Sequence, residues 1–578
     1  MARGLGVLVL AMALGCRPAP APSPVSGPYT VQFSGLKPSL EPVVAAFIED
    51  HGPIGQGKRV SGTISLEPKL GPDAFVVEVG AGVSLRAGSE RAVVWGLQKL
   101  RSLALAGQRP REFRDKPAWN FRAVSLDVAR RYHSPDALRK LIQCASLARV
   151  PYVSLHLTDD QNWMFPSRVV PTAPLFNRHK KPAYSRPELR ALNEFAKARG
   201  VTLIPEIDVP GHSQILCKLG RQWRFPGTWN CIDFRSPWVR GDVKKILAEA
   251  IELFPDSPYV HIGGDEAMFP GGAANEAAFV DFLGETTDFV IKKGRTPLMW
   301  EGFRRSEFSR SRISRKAVVI SWSMDWYRPD HLIADGFSVV NACWDPCYVV
   351  GHYPWDAFTL TPLPKLFQIN PRRFGRMSNE SRTLDSRRGI EGSMLCWWEG
   401  KEPDALRILP ERILAFGARL WNPNLTSSYA DFAVRTQEDL ARVMPGRPAF
   451  TAARVRTSTA ADPHFSPDAL VDGDSTSVGR HWLAYPLPAS ATIDFGRVRT
   501  ASQVRVVTFF AANKATQFRV EVSLDGKQWT RVGSGSASTA AGSTLSFGAR
   551  PVRFVRLTVT GSDQHPPFVG RVHEVELR

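Results

Sequence analysis

Tyr259 to Glu266 reads Tyr-Val-His-Ile-Gly-Gly-Asp-Glu, a short apolar run that stops at two glycines and then presents two adjacent carboxylates, Asp265 and Glu266. Glycine has no Cβ, so the backbone can turn there and a ligand can come close. Two acids delivered to one small volume repel each other when both are charged. One is therefore expected to hold its proton toward neutral pH and to serve as an acid. The alternative for a lone Asp-Glu pair is an ordinary turn with solvated acids, and His261, Ile262, Gly263 and Gly264 directly before it argue against that here.

Such a pair needs a frame. From 116 to about 425 the pattern is strand, loop, helix, repeated. Candidate strands are Ala123–Asp127, Tyr152–His156, Thr202–Asp208, Tyr259–Gly263, Thr296–Trp300, Val318–Ser321, Ser338–Asn341 and Ser393–Trp397, with helices clearest at Pro135–Arg149, Pro187–Arg199, Arg240–Phe254 and Asn275–Lys293. Eight such units predict an α/β fold, a parallel (β/α)8 TIM barrel, whose site lies where the strands end. The strand ends carry polar and aromatic residues: Asp127 with Arg130, His156 through Trp163, Pro205 through Ser213, Asp265-Glu266, Trp300-Glu301, Trp322, Trp344 with Asp345 and Tyr348, and Trp397-Trp398-Glu399. One such residue would more often be core or rim; eight ends agreeing points to a site.

The flanking sequence divides further. Residues 30–115, with strand alternation over Ala74–Val83 and helical spacing over Ser89–Leu103, read as a small α+β domain. Residues 426–450 read as helix and linker, with the helix placed from Gln437. Residues 451–578 shift to short Val-, Thr- and Phe-rich strands, Thr492–Phe495, Gln503–Thr508, Phe518–Ser523, Trp529–Val532 and Phe554–Thr560, which predict an antiparallel β-sandwich of jelly-roll type.

A chain of 578 residues is too long for one core. Lys and Arg outnumber Asp and Glu by 74 to 55, a formal charge of +19. The basic residues are scattered rather than gathered on a helix or run, which excludes a nucleic-acid-binding reading. The first sixteen residues carry Arg3, an apolar run from Leu5 to Leu14, and Gly15-Cys16. Ten apolar residues are too few to span a bilayer, so this segment reads as an export signal. Ala13-Leu14-Gly15-Cys16 resembles a lipobox, which implies a cell-envelope lipoprotein, with the plain secretory signal as alternative; residues 17–29, rich in Pro, Ala and Ser, form its linker. Export permits disulfides, and Cys217 with Cys231 flank a loop they can close; Cys144 and Cys396 read as buried thiols. No Cys/His spacing matches a zinc site.

Several aromatic rings around paired acids suit a sugar, because pyranose C–H faces stack on indoles while Asp, Glu and Arg take hydroxyls. Glycosidases set an acid and a nucleophile carboxylate about 5 Å apart or further across the bond. Neighbouring residues at one strand end do not naturally straddle a sugar in that way, which suggests that the nucleophile is not a protein carboxylate; a substrate 2-acetamido group could serve. The segments His261-Ile-Gly-Gly-Asp-Glu266, Leu126-Asp-Val-Ala-Arg130, His156-Leu-Thr-Asp-Asp-Gln161 and Ile204-Pro-Glu-Ile-Asp-Val-Pro-Gly-His212 resemble the signature set of family 20 glycoside hydrolases, the β-N-acetylhexosaminidases.

That resemblance implies roles. Glu266 is expected as general acid and later base, and Asp265 as the group that orients the acetamido nitrogen. Arg130 is expected on sugar hydroxyls, Trp300, Trp322 and Trp398 as pocket walls, and Tyr348 as hydroxyl donor to the acetamido oxygen. Asp160, Asp208, His212 and His261 are expected to support the acid; a purely structural buried network is the alternative. Two departures stand out: Tyr348 is followed by two valines where relatives often place an acid two residues on, and Trp397-Trp398 compete for one role, with Glu399 left to hold a hydroxyl. No cofactor is implied for catalysis. A dimer across the barrel mouth occurs among such enzymes.

Residues Ala469–Thr476, Trp482, Val520–Trp529 and Arg553–Leu557 resemble the discoidin, or coagulation-factor type C, module, also used as carbohydrate-binding module family 32. Asp472, Asp474, Thr476 and Glu574 match positions where such modules hold a structural Ca²⁺ through hard oxygens; the alternative is that Asp-Gly-Asp is only a turn. The expected activity is a retaining exo-hydrolase that removes terminal β-linked N-acetylhexosamine from glycans or chitin-type oligosaccharides, with the type C module holding a glycan. The competing readings are a non-catalytic glycan-binding lipoprotein and a disaccharide-releasing relative.

Overall fold

A computed structural model describes residues 27–350, 361, 363–376, 380–444, 454–458, 470–471, 481–508, 515–539, 541–563 and 570–578. The export signal with Cys16 and three of the four Ca²⁺ candidates, Asp472, Asp474 and Thr476, lie outside the described residues.

The central unit is a closed parallel barrel of Phe121–Asp127, Tyr152–His156, Thr202–Glu206, Tyr259–His261, Thr296–Trp300, Val318–Ser321, Ser338–Asn341 and Ile390–Trp398, taken in chain order, with the last strand pairing both the first and the seventh. Strand period 2 sorts the side chains. Phe121, Ala123, Ile204, Leu298, Val340 and Met394 fill the interior, while their neighbours Val124, Leu203, Met299, Val339 and Leu395 pack outward against the helices. Continuing the inward parity to each strand end delivers Asp127, His156, Glu206, Trp300, Trp322 and Trp398 to one mouth.

The helices begin where the sequence punctuates them. Ser134, Ser185 and Ser236 each cap a helix whose first turn holds a proline, and their hydroxyls accept the N–H groups of Ala137, Glu188 and Val239 at 3.2, 3.2 and 3.4 Å. The last barrel helix, Glu402–Trp421, presses Gly417 against the first, Pro135–Leu147, so closely that a Cβ there would stand 2.2 Å from the Ala148 carbonyl oxygen.

The small leading domain is a five-stranded mixed sheet with helices Glu41–His51 and Glu90–Leu105. The single strand expected over Ala74–Val83 is a hairpin, Phe75–Val79 and Val83–Ala87, because Gly80-Ala-Gly82 turns the chain. Trp421 inserts among Phe75 and Trp95, and Arg122 reaches Asp73 at 2.8 Å, so this domain is joined to the barrel by buried contacts. The helix expected from Gln437 begins at Tyr429, eight residues earlier, under a Ser428 cap.

The C-terminal unit is a seven-stranded antiparallel sheet that curls on itself. Two strands of twenty residues, Ala489–Thr508 and Ser543–Ser562, shift register between Asp494 and Arg499 and between Ala501 and Gln503, so each bends to serve both faces around Trp482, Ile493, Phe518 and Val555. Two of the expected short strands are therefore one bent strand.

Candidate active site

The turn that carries the acids is built from glycines and a buried carboxylate. Gly263 and Gly264 adopt φ of 70° and 105°, and Gly264 N–H donates to Asp208 Oδ1 at 3.2 Å. Gly211 and Gly302 press on successive peptides of this turn: a Cβ on Gly211 would stand 2.5 Å from the Asp265 carbonyl oxygen, and one on Gly302 would stand 2.0 Å from that of Gly264. Three functional-site residues other than glycine, His212, Glu266 and Glu399, also take left-handed φ of 47°, 42° and 57°. Such conformations are costly and persist where surrounding structure enforces them.

The two acids have different surroundings. The Asp265 side chain is 17% exposed and Glu266 44%. Burial, then the charges of Glu266 and Glu206, push the Asp265 carboxyl up to about 6 against the pull of His212. Glu266 lies below the usual carboxylate range because His212 hydrogen-bonds it. Of the pair, the carboxyl that is raised is Asp265 and not the expected general acid, Glu266. The physical reason is that His212 Nε2 lies 3.3 Å from Glu266 Oε2 and 3.8 Å from Asp265 Oδ2, nearer to the more exposed acid.

Behind His212 stands a connected set of charges. Its Nδ1 is 3.5 Å from Asp159 Oδ2 and 3.7 Å from Asp160 Oδ2. Burial lowers the imidazole's affinity for a proton, but Asp159, Glu266, Asp265 and Asp208 together raise it well above the ordinary histidine value. Asp160 is fixed by Asn230 at 3.1 Å and by the N–H of Gln214 at 3.0 Å. Asp208 is raised well above its usual range by burial and by Asp265. His261 plays another part: its Nδ1 accepts the Gly263 N–H at 3.1 Å, burial holds it down to about 4, and it packs against Trp300 at 4.9 Å. It therefore shapes the turn as a neutral ring.

Arg130 occupies the opposite side. Its guanidinium reaches Asp127 at 3.2 Å, Asp159 at 2.8 Å and Glu399 at 4.0 Å, and lies 5.4 Å over the Trp398 ring. The indoles and Tyr348 form a continuous wall: Trp300 to Trp398 5.9 Å, Trp398 to Tyr348 5.8 Å, and Tyr348 to Trp322 6.5 Å with the ring planes only 10° apart. The competition between the paired tryptophans is settled by strand parity. Trp398 faces inward with Tyr348, and Trp397 is buried in the outer core.

Sequence reasoning passed over two members of this set. Asp159, rather than Asp160 alone, joins Arg130 to His156 at 2.9 Å and to His212. Glu206 accepts Trp300 Nε1–H at 2.8 Å and lies 2.9 Å from His156 Nδ1, and despite burial the His156 imidazolium and the Trp300 N–H hold it down to about 2. The signal was available: Ile204, Glu206 and Asp208 share the inward parity. Cys217 and Cys231, whose pairing the sequence left open, are free thiols, Cys217 Sγ donating to the Cys231 carbonyl at 3.4 Å. A cavity of about 760 Å³ lies elsewhere, between the small domain and the helix ending at Trp421, and none of the groups above lines it.

The family model for the catalytic domain of glycosyl hydrolase family 20 matches residues 119–424, more than half of the chain. The chain belongs to glycosyl hydrolase family 20. Residues 454–573 match the F5/8 type C domain. A β-hexosaminidase of Akkermansia muciniphila is 25% identical over 419 residues, which cover 63% of this chain and 82% of that one. The β-hexosaminidase subunit beta of Sus scrofa is 22% identical over 66% of this chain and 76% of its own. Among solved structures, β-N-acetylhexosaminidase from Bacteroides fragilis aligns over 74% of this chain and 94% of its own with TM-score 0.60 and 20% identity. An exo β-N-acetylglucosaminidase from Vibrio harveyi, solved with N-acetylglucosamine, aligns over 72% and 74% with TM-score 0.55 and 20% identity. As a family 20 chain it is a glycoside hydrolase of the β-N-acetylhexosaminidase type. The acidic excess at the barrel mouth suits such chemistry, because it presents a negative field where positive charge develops on a sugar ring.

Proposed function

We propose that the enzyme removes terminal β-linked N-acetylhexosamine with retention, using the substrate's own 2-acetamido group as nucleophile. The observation that carries this reading is Asp265 Oδ1, a buried oxygen that meets no hydrogen-bond partner among the described residues. It is offered to a donor from outside, and an amide N–H suits it. With the N–H held, the acetamido carbonyl oxygen attacks C1 and the bond to the leaving oxygen breaks. Glu266 supplies the proton to that oxygen. It then takes one from water, which attacks C1 and reopens the ring. A sugar seated on Glu266 strips water from a side chain that is 44% exposed, which moves its pKa upward toward acid function. Ionised Asp265 stabilises the oxazolinium charge.

Arg130 and Glu399 take hydroxyls of the terminal sugar, Trp300, Trp322 and Trp398 enclose the acetamido group and the sugar face, and Tyr348 donates to the acetamido oxygen. The burial of Tyr348, which raises its phenol well above the ordinary value, keeps it a donor. The type C domain adds a glycan contact. A structural Ca²⁺ there would take Glu574, a buried carboxylate whose chemistry fits a hard cation, with Asp472, Asp474 and Thr476. Export with lipid attachment at Cys16 rests on the leader sequence; no described helix is long and apolar enough to cross a membrane.

Turnover of an aryl N-acetyl-β-glucosaminide beside the matching aryl β-glucoside tests the mechanism, and Glu266→Gln tests the acid. Hydrolysis of the first only, lost by at least about 10²-fold in Glu266→Gln, is expected. No turnover by the intact enzyme would leave a glycan-binding protein instead.

A further inference from the structure

The sixth strand's ladder ends at Ser321, so the plane of Trp322 is not set by strand pairing. Something else must hold it. Glu301, the residue after Trp300, is wholly buried, and its two carboxylate oxygens accept the hydroxyls on either side of that indole: Ser321 on one oxygen, and Ser323 on the other at 3.0 Å. The Trp322 Nε1–H donates to the Glu301 carbonyl oxygen at 2.8 Å, and the Glu301 N–H donates to Ile320 at 2.9 Å. The direction of one arm is fixed, since Ser323 Oγ accepts the Asp325 N–H at 3.0 Å and so turns its own proton to Glu301.

We infer that Glu301 is a positioning residue: its carboxylate clamps the Ser321–Ser323 segment and thereby fixes Trp322 as a wall of the sugar pocket. A buried carboxylate is an expensive way to fill space, and an apolar side chain would fill it at less cost. The acid is useful because it can bracket two hydroxyls at once, which no apolar residue can. Burial raises it to about 7 in spite of both serines and a backbone N–H, with the Asp325 charge adding to the rise; the Cys343 thiol also faces it from the loop after the seventh strand, its Sγ donating to the Ser321 carbonyl at 3.4 Å. The clamp thus acts on shape, and through Trp322 on the acyl group that must be aligned with C1. This rests on the acetamido reading above.

The test compares aryl glucosaminides carrying N-acetyl and N-butanoyl groups. In the intact enzyme the fixed indole should disfavour the longer acyl chain. Glu301→Ala should lower kcat/KM on the N-acetyl substrate about tenfold or more and narrow the N-acetyl preference at least about threefold, because a loosened wall admits the longer chain. Glu301→Gln, whose amide can accept one hydroxyl and donate to the other, should keep the preference within about twofold. If Glu301→Ala does not fold, Ser323→Ala, which removes one arm, reads the same ratio. An unchanged preference in a folded Ala variant, or a Gln variant as permissive as Ala, overturns the inference. No turnover of the N-acetyl substrate by the intact enzyme would instead overturn the function on which it rests.

Discussion

His212 stands between the two acids, with Nε2 3.3 Å from Glu266 Oε2 and 3.8 Å from Asp265 Oδ2, and its far nitrogen faces Asp159 and Asp160. These carboxylates raise the proton affinity of the imidazole well above the ordinary histidine value, while its hydrogen bond lowers that of Glu266. Removing the ring removes the hydrogen bond that depresses Glu266. His212→Gln should lower kcat about 10²-fold and move the limb of the rate profile that reports Glu266 to higher pH. The measurement is kcat/KM from about pH 4 to 9; a lower rate with an unmoved limb would assign His212 to shape alone.

Asp265 separates activity from stability. Its carboxyl is raised to about 6, chiefly by burial, so the folded protein prefers the protonated form. A raised acid contributes stability below its unfolded value and loses it as pH rises through about 6. Accepting the acetamido N–H requires the ionised form, so turnover should fall as pH drops through the same region. Asp265→Asn should abolish that acid limb and cut kcat by about 10²–10³-fold, while raising stability above pH 6 by roughly 1–3 kcal/mol. Thermal unfolding at about pH 4 and pH 7.5 checks the sign: the variant's gain must be clearly larger at the higher pH, because the loss accrues between the unfolded value and about 6.

Arg130 ties two strand ends together beside the proposed sugar pocket. Replacing it by Ala leaves Asp127 and Asp159, both fully buried, without their main cation. Breaking such a pair from one side costs about 3–5 kcal/mol, more than the pair itself contributes. Arg130→Ala should therefore lower the melting temperature markedly and raise KM. Arg130→Lys should recover part of the stability and little of the KM, because a point charge cannot serve Asp127, Asp159 and a hydroxyl in one plane. Equal recovery of both would show that the fork geometry is unimportant.

The barrel was legible because eight inward-facing positions repeat one pattern, and the turn at Gly263-Gly264 was legible because glycine pairs have few other uses before paired acids. Contacts between strands were not. Asp159 and Asp160 are adjacent in sequence, and only the fold decides that Arg130 takes the first while Asn230 takes the second. Which acid keeps its proton was likewise hidden, since it depends on how far His212, 54 residues upstream of Glu266, stands from each. Trp397 and Trp398 became distinguishable once the eighth strand's register was known. The bent strands of the type C domain were split because a bulge reads in sequence as an end.

The steric frame of the catalytic turn gives the last prediction. Gly302 follows Glu301 and lies against the turn so closely that a Cβ would stand 2.0 Å from the Gly264 carbonyl oxygen and 2.8 Å from Asp265 Cα. Both obstacles are backbone, so no rotamer change relieves them. Either the turn moves or the fifth strand end moves, and each displaces an acid or an indole by a substantial fraction of an ångström. Gly302→Ala should cost about 2–4 kcal/mol in stability and, in the surviving folded fraction, lower kcat by about 10²-fold with a smaller change in KM. Unfolding by urea and initial-rate kinetics on the same preparation check both numbers. Wild-type kcat in a stably folded Gly302→Ala enzyme would mean that the position of Asp265 is not what the reaction depends on.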